Sequence, residues 1–179
     1  MPEKTFLLAG TPQKYIYQID DYSCGPVAVV NAIKWAGFKA GYEDLSYFRK
    51  ECRTTEEMGT YPDDLFWTLK KLELQGLFRL VYRIEDADLE DIDECWIPNS
   101  AMLITTCTAP AAKGPESCHY SLIVDKQKRK ATIYYWLANY YTKRGLAKMS
   151  RGFLKQILRK SKKAVSAANL RTDVIVVTK

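Results

Sequence analysis

Apolar residues recur at helical spacing from Cys24 to Gly37, where CGPVAVVNAIKWAG sets Val27, Val30, Ala32, Ile33, Trp35 and Ala36 ahead of a glycine that stops a helix. So apolar a segment predicts a mostly buried helix. Tyr42 to Cys52 repeats the period with Leu45 and Phe48 behind Glu43 and Asp44, and Asp63 to Leu74 does so with Leu65, Leu69 and Leu72. The second half changes character. Short β-rich runs occupy Ala101 to Thr106, His119 to Val124, Ala131 to Leu137 and Val174 to Val177. Asp125 to Lys130 reads as a polar, basic hairpin turn. Ser150 to Arg159 reads as an amphipathic helix with Phe153, Ile157 and Leu158 inward. Thr108 to Ser117, TAPAAKGPES, is a flexible loop leading into Cys118 and His119. Helices first and an antiparallel sheet afterwards predict a segregated α+β domain.

Composition narrows this picture. A chain of 179 residues with 47 % hydrophobic and 27 % charged residues fits one domain spanning 1–179 that can bury an ordinary core. Disorder and collagen-like repeats are excluded. The apolar patch Phe6 to Ala9 is too short for a signal-peptide core, and no run approaches a bilayer span, so a cytoplasmic protein is expected. Five cysteines (Cys24, Cys52, Cys95, Cys107, Cys118) form an odd set without CxxC spacing, which predicts free thiols. With His119 the only histidine, a zinc held by several imidazoles is excluded.

Cys24 lies where an extended polar segment, YSCGP, turns into the buried helix. Free N–H groups at a helix N-terminus favour a thiolate, but the dipole supplies only about 0.3–1 kcal/mol, so an imidazolium has to supply most of the activation. His119 is the candidate, opening a strand after the flexible loop. Gln18, six residues before Cys24, offers an amide that can join the Cys24 backbone N–H in holding an oxyanion. Asn139, just past the Ala131 to Leu137 run, is placed to orient the imidazole. Asp20 and Asp21 would raise the thiol pKa if they faced it. The aromatic residues around Tyr134 to Tyr141 suit sheet core and groove wall.

The runs QIDDYSCGPVAVVNAIKWAG, GTYPDDLFWTLKKL from Gly59, HYSLIV from His119 and a strand ending in LAN resemble cysteine peptidase family 39, the bacteriocin-processing or double-glycine peptidases. The resemblance runs from about Tyr15 to Leu158, with MSRGFLKQIL similar to the family's closing helix. It implies a papain-like fold, with the nucleophile at a helix N-terminus in a helical half packed on a C-terminal antiparallel sheet. It implies Cys24 as nucleophile, His119 as general base and acid, and Gln18 as oxyanion-hole amide, without cofactor or metal. The family's third member, an Asp followed by Pro, would fall on Tyr135 here. Asn139, followed by Tyr140, can take that role, as Asn does in papain-like relatives.

Charge adds a second theme. Residues 1–125 hold 12 Lys and Arg against 20 Asp and Glu, whereas 126–172 hold 14 Lys and Arg and no acid. Lys126, Lys128, Arg129 and Lys130 form one cluster. Lys155, Arg159, Lys160, Lys162 and Lys163 form another that could share its face. Three functional readings follow. The leading one is a cysteine peptidase acting on a peptide or protein substrate, with Gly-Gly cleavage implied by the resemblance. The second passes the same thioacyl group to another acceptor, as a transferase or cyclase. The third is a silent scaffold that binds an anionic partner, nucleic acid or acidic protein, through 126–172.

Overall fold

The computed structural model describes residues 6–11, 13–107, 118–140, 146–166 and 172–179. Its elements, in chain order, are α1 (Cys24–Ala36), α2 (Leu45–Glu51), α3 (Pro62–Leu74), β1 (Leu80–Ile84), α4 (Leu89–Cys95), β2 (Ser100–Cys107), β3 (Cys118–Arg129), β4 (Thr132–Ala138), β5 (Leu146–Ser150), α5 (Arg151–Ser166) and β6 (Val174–Thr178). The six strands form one sheet in the order β1-β6-β2-β3-β4-β5, every pair antiparallel. The α+β reading holds. Helices lie on both faces of the sheet, α1, α2 and α3 on one and α4 and α5 on the other. Period-2 alternation sends Ala101, Leu103, Ile175 and Val177 into a core with α1, α2 and α3, and Met102, Ile104, Val174 and Val176 into a second core with α4 and α5.

Helix α1 is the centre of the first core. Cys24 to Ile33 are all buried, Pro26 is tolerated because it stands in the first turn, and Gly37 ends the helix at φ 100 by donating to Ile33 and Lys34 carbonyls. Its one buried polar side chain, Asn31, takes the Ile16 N–H on Oδ1 and donates Nδ2 to the Ile16 carbonyl, both at 2.9 Å. The extended chain before α1 is thereby held as if by a neighbouring strand.

Several boundaries move. The predicted turn Asp125 to Lys130 is mostly strand: β3 continues to Arg129 past a bulge at Ile123/Asp125, and the reversal sits at Lys130, φ 53. Helix α5 buries Leu154 and Leu158, while Phe153, expected inward, is 52 % exposed. Helix α4 and the edge strands β1 and β5 were not predicted. Helix α4 has only two buried apolar positions, Leu89 and Ile92, and starts on a capping box in which Asp88 accepts from Glu90 and Asp91 N–H and Asp91 accepts from Asp88 N–H. The predicted loop Thr108 to Ser117 lies outside the described residues. No helix among the described residues is long and apolar enough to cross a membrane.

Four cations of the basic third, Lys126, Arg151, Lys155 and Lys162, pair with the acidic segment around α4. Asp93 takes Lys126 at 2.6 Å, Arg151 at 2.8 Å and the Tyr135 hydroxyl at 2.5 Å, Glu90 takes Lys155 at 2.6 Å, and Asp86 takes Lys162 at 2.8 Å. Burial alone would raise the Asp93 pKa, but these donors hold it below the usual carboxylate value. A member of each basic cluster meets α4, Lys126 at Asp93 and Lys155 at Glu90, while the end of α5 lies away from the β3–β4 reversal. Helix α5 starts where Ser150 pairs with Tyr134, near the β3–β4 reversal, and by Ser161 has reached Cys107 at the other end of β2, about 15 Å along the helix.

Asn31→Ala removes both partners of the buried Ile16 peptide groups. It is expected to lower the unfolding free energy by about 2 kcal/mol, read as a lower midpoint in urea denaturation.

Candidate functional site

The site forms where the sheet opens. β4 pairs with β3 only from Ala138 opposite Leu122, so the residues before Leu122 have no β4 partner. At Asn139 the chain turns with φ 59, a left-handed conformation that asparagine tolerates better than most residues. Its amide then stands in for the missing strand: Nδ2 donates to the Tyr120 carbonyl at 3.3 Å, and Oδ1 accepts the Gln18 N–H at 2.8 Å. The N-terminus of α1 fills the rest of the opening. The Cys24 sulfur takes the Tyr120 main-chain N–H, so it lies against the peptide that joins His119 to Tyr120. The main-chain N–H groups of Cys24 and Gly25 also point at the sulfur.

His119 is oriented by a main-chain group. Its Nε2 donates to the Asn139 carbonyl, which also accepts from Ser121 Oγ at 3.2 Å. A carbonyl only accepts, so the proton belongs on Nε2 and Nδ1 is the basic nitrogen. Asn139, expected to meet the imidazole through its side chain, meets it through its carbonyl, while its amide closes the sheet. Gln18, Cys24, His119 and Asn139 are thus brought into one hydrogen-bonded chain, Gln18 through its main chain.

The electrostatics differ from the sequence expectation of a thiolate–imidazolium pair. Cys24 is 7 % and His119 9 % exposed. Burial raises the Cys24 pKa, against the three main-chain N–H groups that lower it, with Asp20 adding a smaller upward push. Burial also lowers the His119 pKa, against the Asn139 carbonyl. Both groups therefore rest neutral at pH 7.

Three further features were not read from the sequence. Asp20 accepts from Tyr22 N–H, Ser23 N–H and Ser23 Oγ, and pairs with Arg49 at 2.5 Å, while Arg49 Nε donates to Ser23 Oγ at 2.8 Å and its guanidinium stacks over Tyr22. This clamp fixes Ser23, the residue before Cys24. Burial would raise the Asp20 pKa, but those donors and Arg49 lower it. Second, Gly25 lies under Thr60: a Cβ there would come within 2.6 Å of the Thr60 Cβ. Thr60 is held by Thr54 Oγ1 at 2.7 Å, and its carbonyl accepts from the buried Tyr120 hydroxyl at 3.4 Å. Third, Cys107 and Cys118, expected as free thiols, form a disulfide because they face each other on the last rung of the β2–β3 ladder. Cys24, Cys52 and Cys95 are free. No spacing rule joins Asp20 to Arg49, 29 residues apart, or Gly25 to Thr60. Among the described residues, no group of three or more His, Cys, Asp or Glu could hold a metal ion.

Gly25→Ala forces either α1 or Thr60 to move and is expected to cost about 1–3 kcal/mol, checked by thermal unfolding. Alkylation of Cys24 should become faster in that variant as the sulfur loses its seat.

Comparison with models of known protein families finds no match, and neither does comparison with curated protein sequences.

Proposed function

We propose that the protein is a cysteine peptidase or amidase that works through a thioacyl-enzyme on Cys24. The observation that carries this reading is the seating of the Cys24 sulfur on the His119–Tyr120 peptide, with the His119 ring turned by the Asn139 carbonyl so that Nδ1 is its base. The likeness of the Gln18, Cys24-Gly25, Gly59-Thr60 and His119 elements to family 39 peptidases adds support, and gives the finer expectation of a papain-like fold and a substrate with small residues, such as Gly-Gly, at the scissile bond.

Because both groups rest neutral, the chemistry starts as general-base catalysis. His119 Nδ1 takes the thiol proton as the sulfur attacks the amide carbonyl carbon. The oxyanion is held by the Cys24 main-chain N–H at the start of α1 and by the Gln18 side-chain amide. When the tetrahedral intermediate collapses, the C–N bond breaks and His119 returns the proton to the leaving amine. Water then attacks the thioester carbonyl, giving its proton to His119, and release of the acid restores the thiol.

Cys24→Ala is expected to abolish peptide hydrolysis, by about 10³-fold or more, with circular dichroism unchanged; full activity in that variant overturns the assignment. The pH profile tests the neutral pair. Activity requires His119 deprotonated, and burial sets its pKa below 6.5, so the acidic limb should fall below pH 6.5 and activity should be flat through neutrality. Iodoacetamide should label Cys24 slowly at pH 6, because its thiol is protonated there; fast labelling at pH 6 would identify a thiolate–imidazolium pair instead.

A further inference from the structure

The Cys107–Cys118 disulfide takes part in none of the steps above, yet it is adjacent to them in the ladder. The rung Cys107↔Cys118 follows Thr106↔His119 directly, so the bridge lies one residue from the general base. At that level β3 is paired on one side only, because β4 begins pairing at Leu122. The position of His119 therefore depends on β2, through the Thr106 and Cys107 rungs and the 3.3 Å bond from Thr106 Oγ1 to the His119 carbonyl. The two sulfurs differ in setting. Cys107 is buried and its N–H is fixed by Ser161 Oγ of α5 at 2.8 Å, whereas Cys118 is half-buried at the start of its strand. Cys107 is the anchor and Cys118 the side an external thiol reaches.

We propose that Cys107 and Cys118 form a reversible thiol–disulfide site that governs the catalytic centre, holding His119 in register when oxidised and releasing it when reduced. Its consequence for catalysis rests on the peptidase reading; the redox site itself does not. The oxidant is a low-molecular-weight disulfide of the glutathione class. The Cys118 thiolate attacks it, forming a mixed disulfide and expelling one small thiol. The Cys107 thiolate then attacks the Cys118 sulfur and expels the second. Two protein thiols lose two electrons, one external disulfide becomes two thiols, and the two protons pass to the thiolates released. Reduction is the same exchange reversed. Cys24 is spared because it is buried beneath the Tyr120 peptide, whereas Cys118 is half-buried.

The test uses the full chain equilibrated in glutathione buffers from fully reduced to fully oxidised, with acid quench, thiol trapping and mass spectrometry, which separates the internal bridge from a mixed disulfide at Cys24. The bridge should form and reverse with the buffer. Amide hydrogen exchange over Cys118–Ser121 should be about tenfold faster in the reduced protein. Cys24-dependent peptide hydrolysis should fall about fivefold or more in kcat on reduction, with KM little changed. The C107S/C118S double variant should match the reduced protein and ignore glutathione, while C95S keeps the wild-type response. Thiols that remain free across the series, or equal exchange in both states, overturn the proposal. If exchange responds but no peptide is cleaved in either state, the redox site stands and the peptidase reading falls. If cleavage occurs equally in both states, the control of catalysis falls and the peptidase reading stands.

Discussion

A peptide N–H buried in a protein has to find an acceptor, and at Tyr120 that acceptor is the Cys24 sulfur. The remaining geometry follows from this requirement. Because β4 leaves β3 at Asn139, the Tyr120 N–H and carbonyl lose a strand partner. One is answered by the first residue of α1 and the other by the Asn139 amide. The same departure turns the Asn139 carbonyl toward the ring of His119. Cys24 and His119 thus take their places around a missing piece of β-ladder. Asn31 does similar work upstream, standing in for a strand beside Ile16, so the segment carrying Gln18 hangs between two asparagines, one on α1 and one after β4.

What the sequence made legible was what local pattern controls. The apolar faces of α1, α2 and α3 appear where their period puts them, and Leu45, Phe48, Leu65, Leu69 and Leu72 are all buried. Gln18, Cys24, His119 and Asn139 stand out in the sequence, and the fold links them by hydrogen bonds. Their means of contact do not stand out there. Asn139 acts on His119 through a carbonyl, which every residue has, so side-chain identity carried no signal. Helix α4 was hidden because seven residues with two buried apolar positions show no period, although the Asp88 to Asp91 capping box was present. The Cys107–Cys118 bridge depends on strand register, and an odd cysteine count pointed away from it. Phe153 shares helical spacing with Ile157 yet points outward, and Leu154, one turn before Leu158, holds the buried position.

Charge shows the same limit of local reading. Along the chain, acids and bases are segregated, which suggests a surface built for an anionic partner. In space, Asp86, Glu90 and Asp93 meet Lys162, Lys155, Arg151 and Lys126, and these pairs join α4, α5 and the β3–β4 hairpin on one face of the sheet. The exposed pairs among these contribute little individually; Asp93, with three donors and a side chain 18 % exposed, is the member around which the layer is arranged. The second core is thus ionic at its rim and apolar at its centre, whereas the first is sealed almost wholly by apolar residues around α1.

β6 follows every other element in chain order, yet it lies between β1 and β2, and β1 reaches the sheet only through it. A ribosome releases Leu80 nearly a hundred residues before its ladder partner Thr178. During synthesis β1 therefore waits without a partner, and the sheet cannot grow strand by strand from the N-terminus. Closure of the sheet is a late, all-or-none event, of high contact order and correspondingly slow. Until it happens, edge strand β1 stands unpaired and the buried strand β2 presents an open edge to other nascent chains.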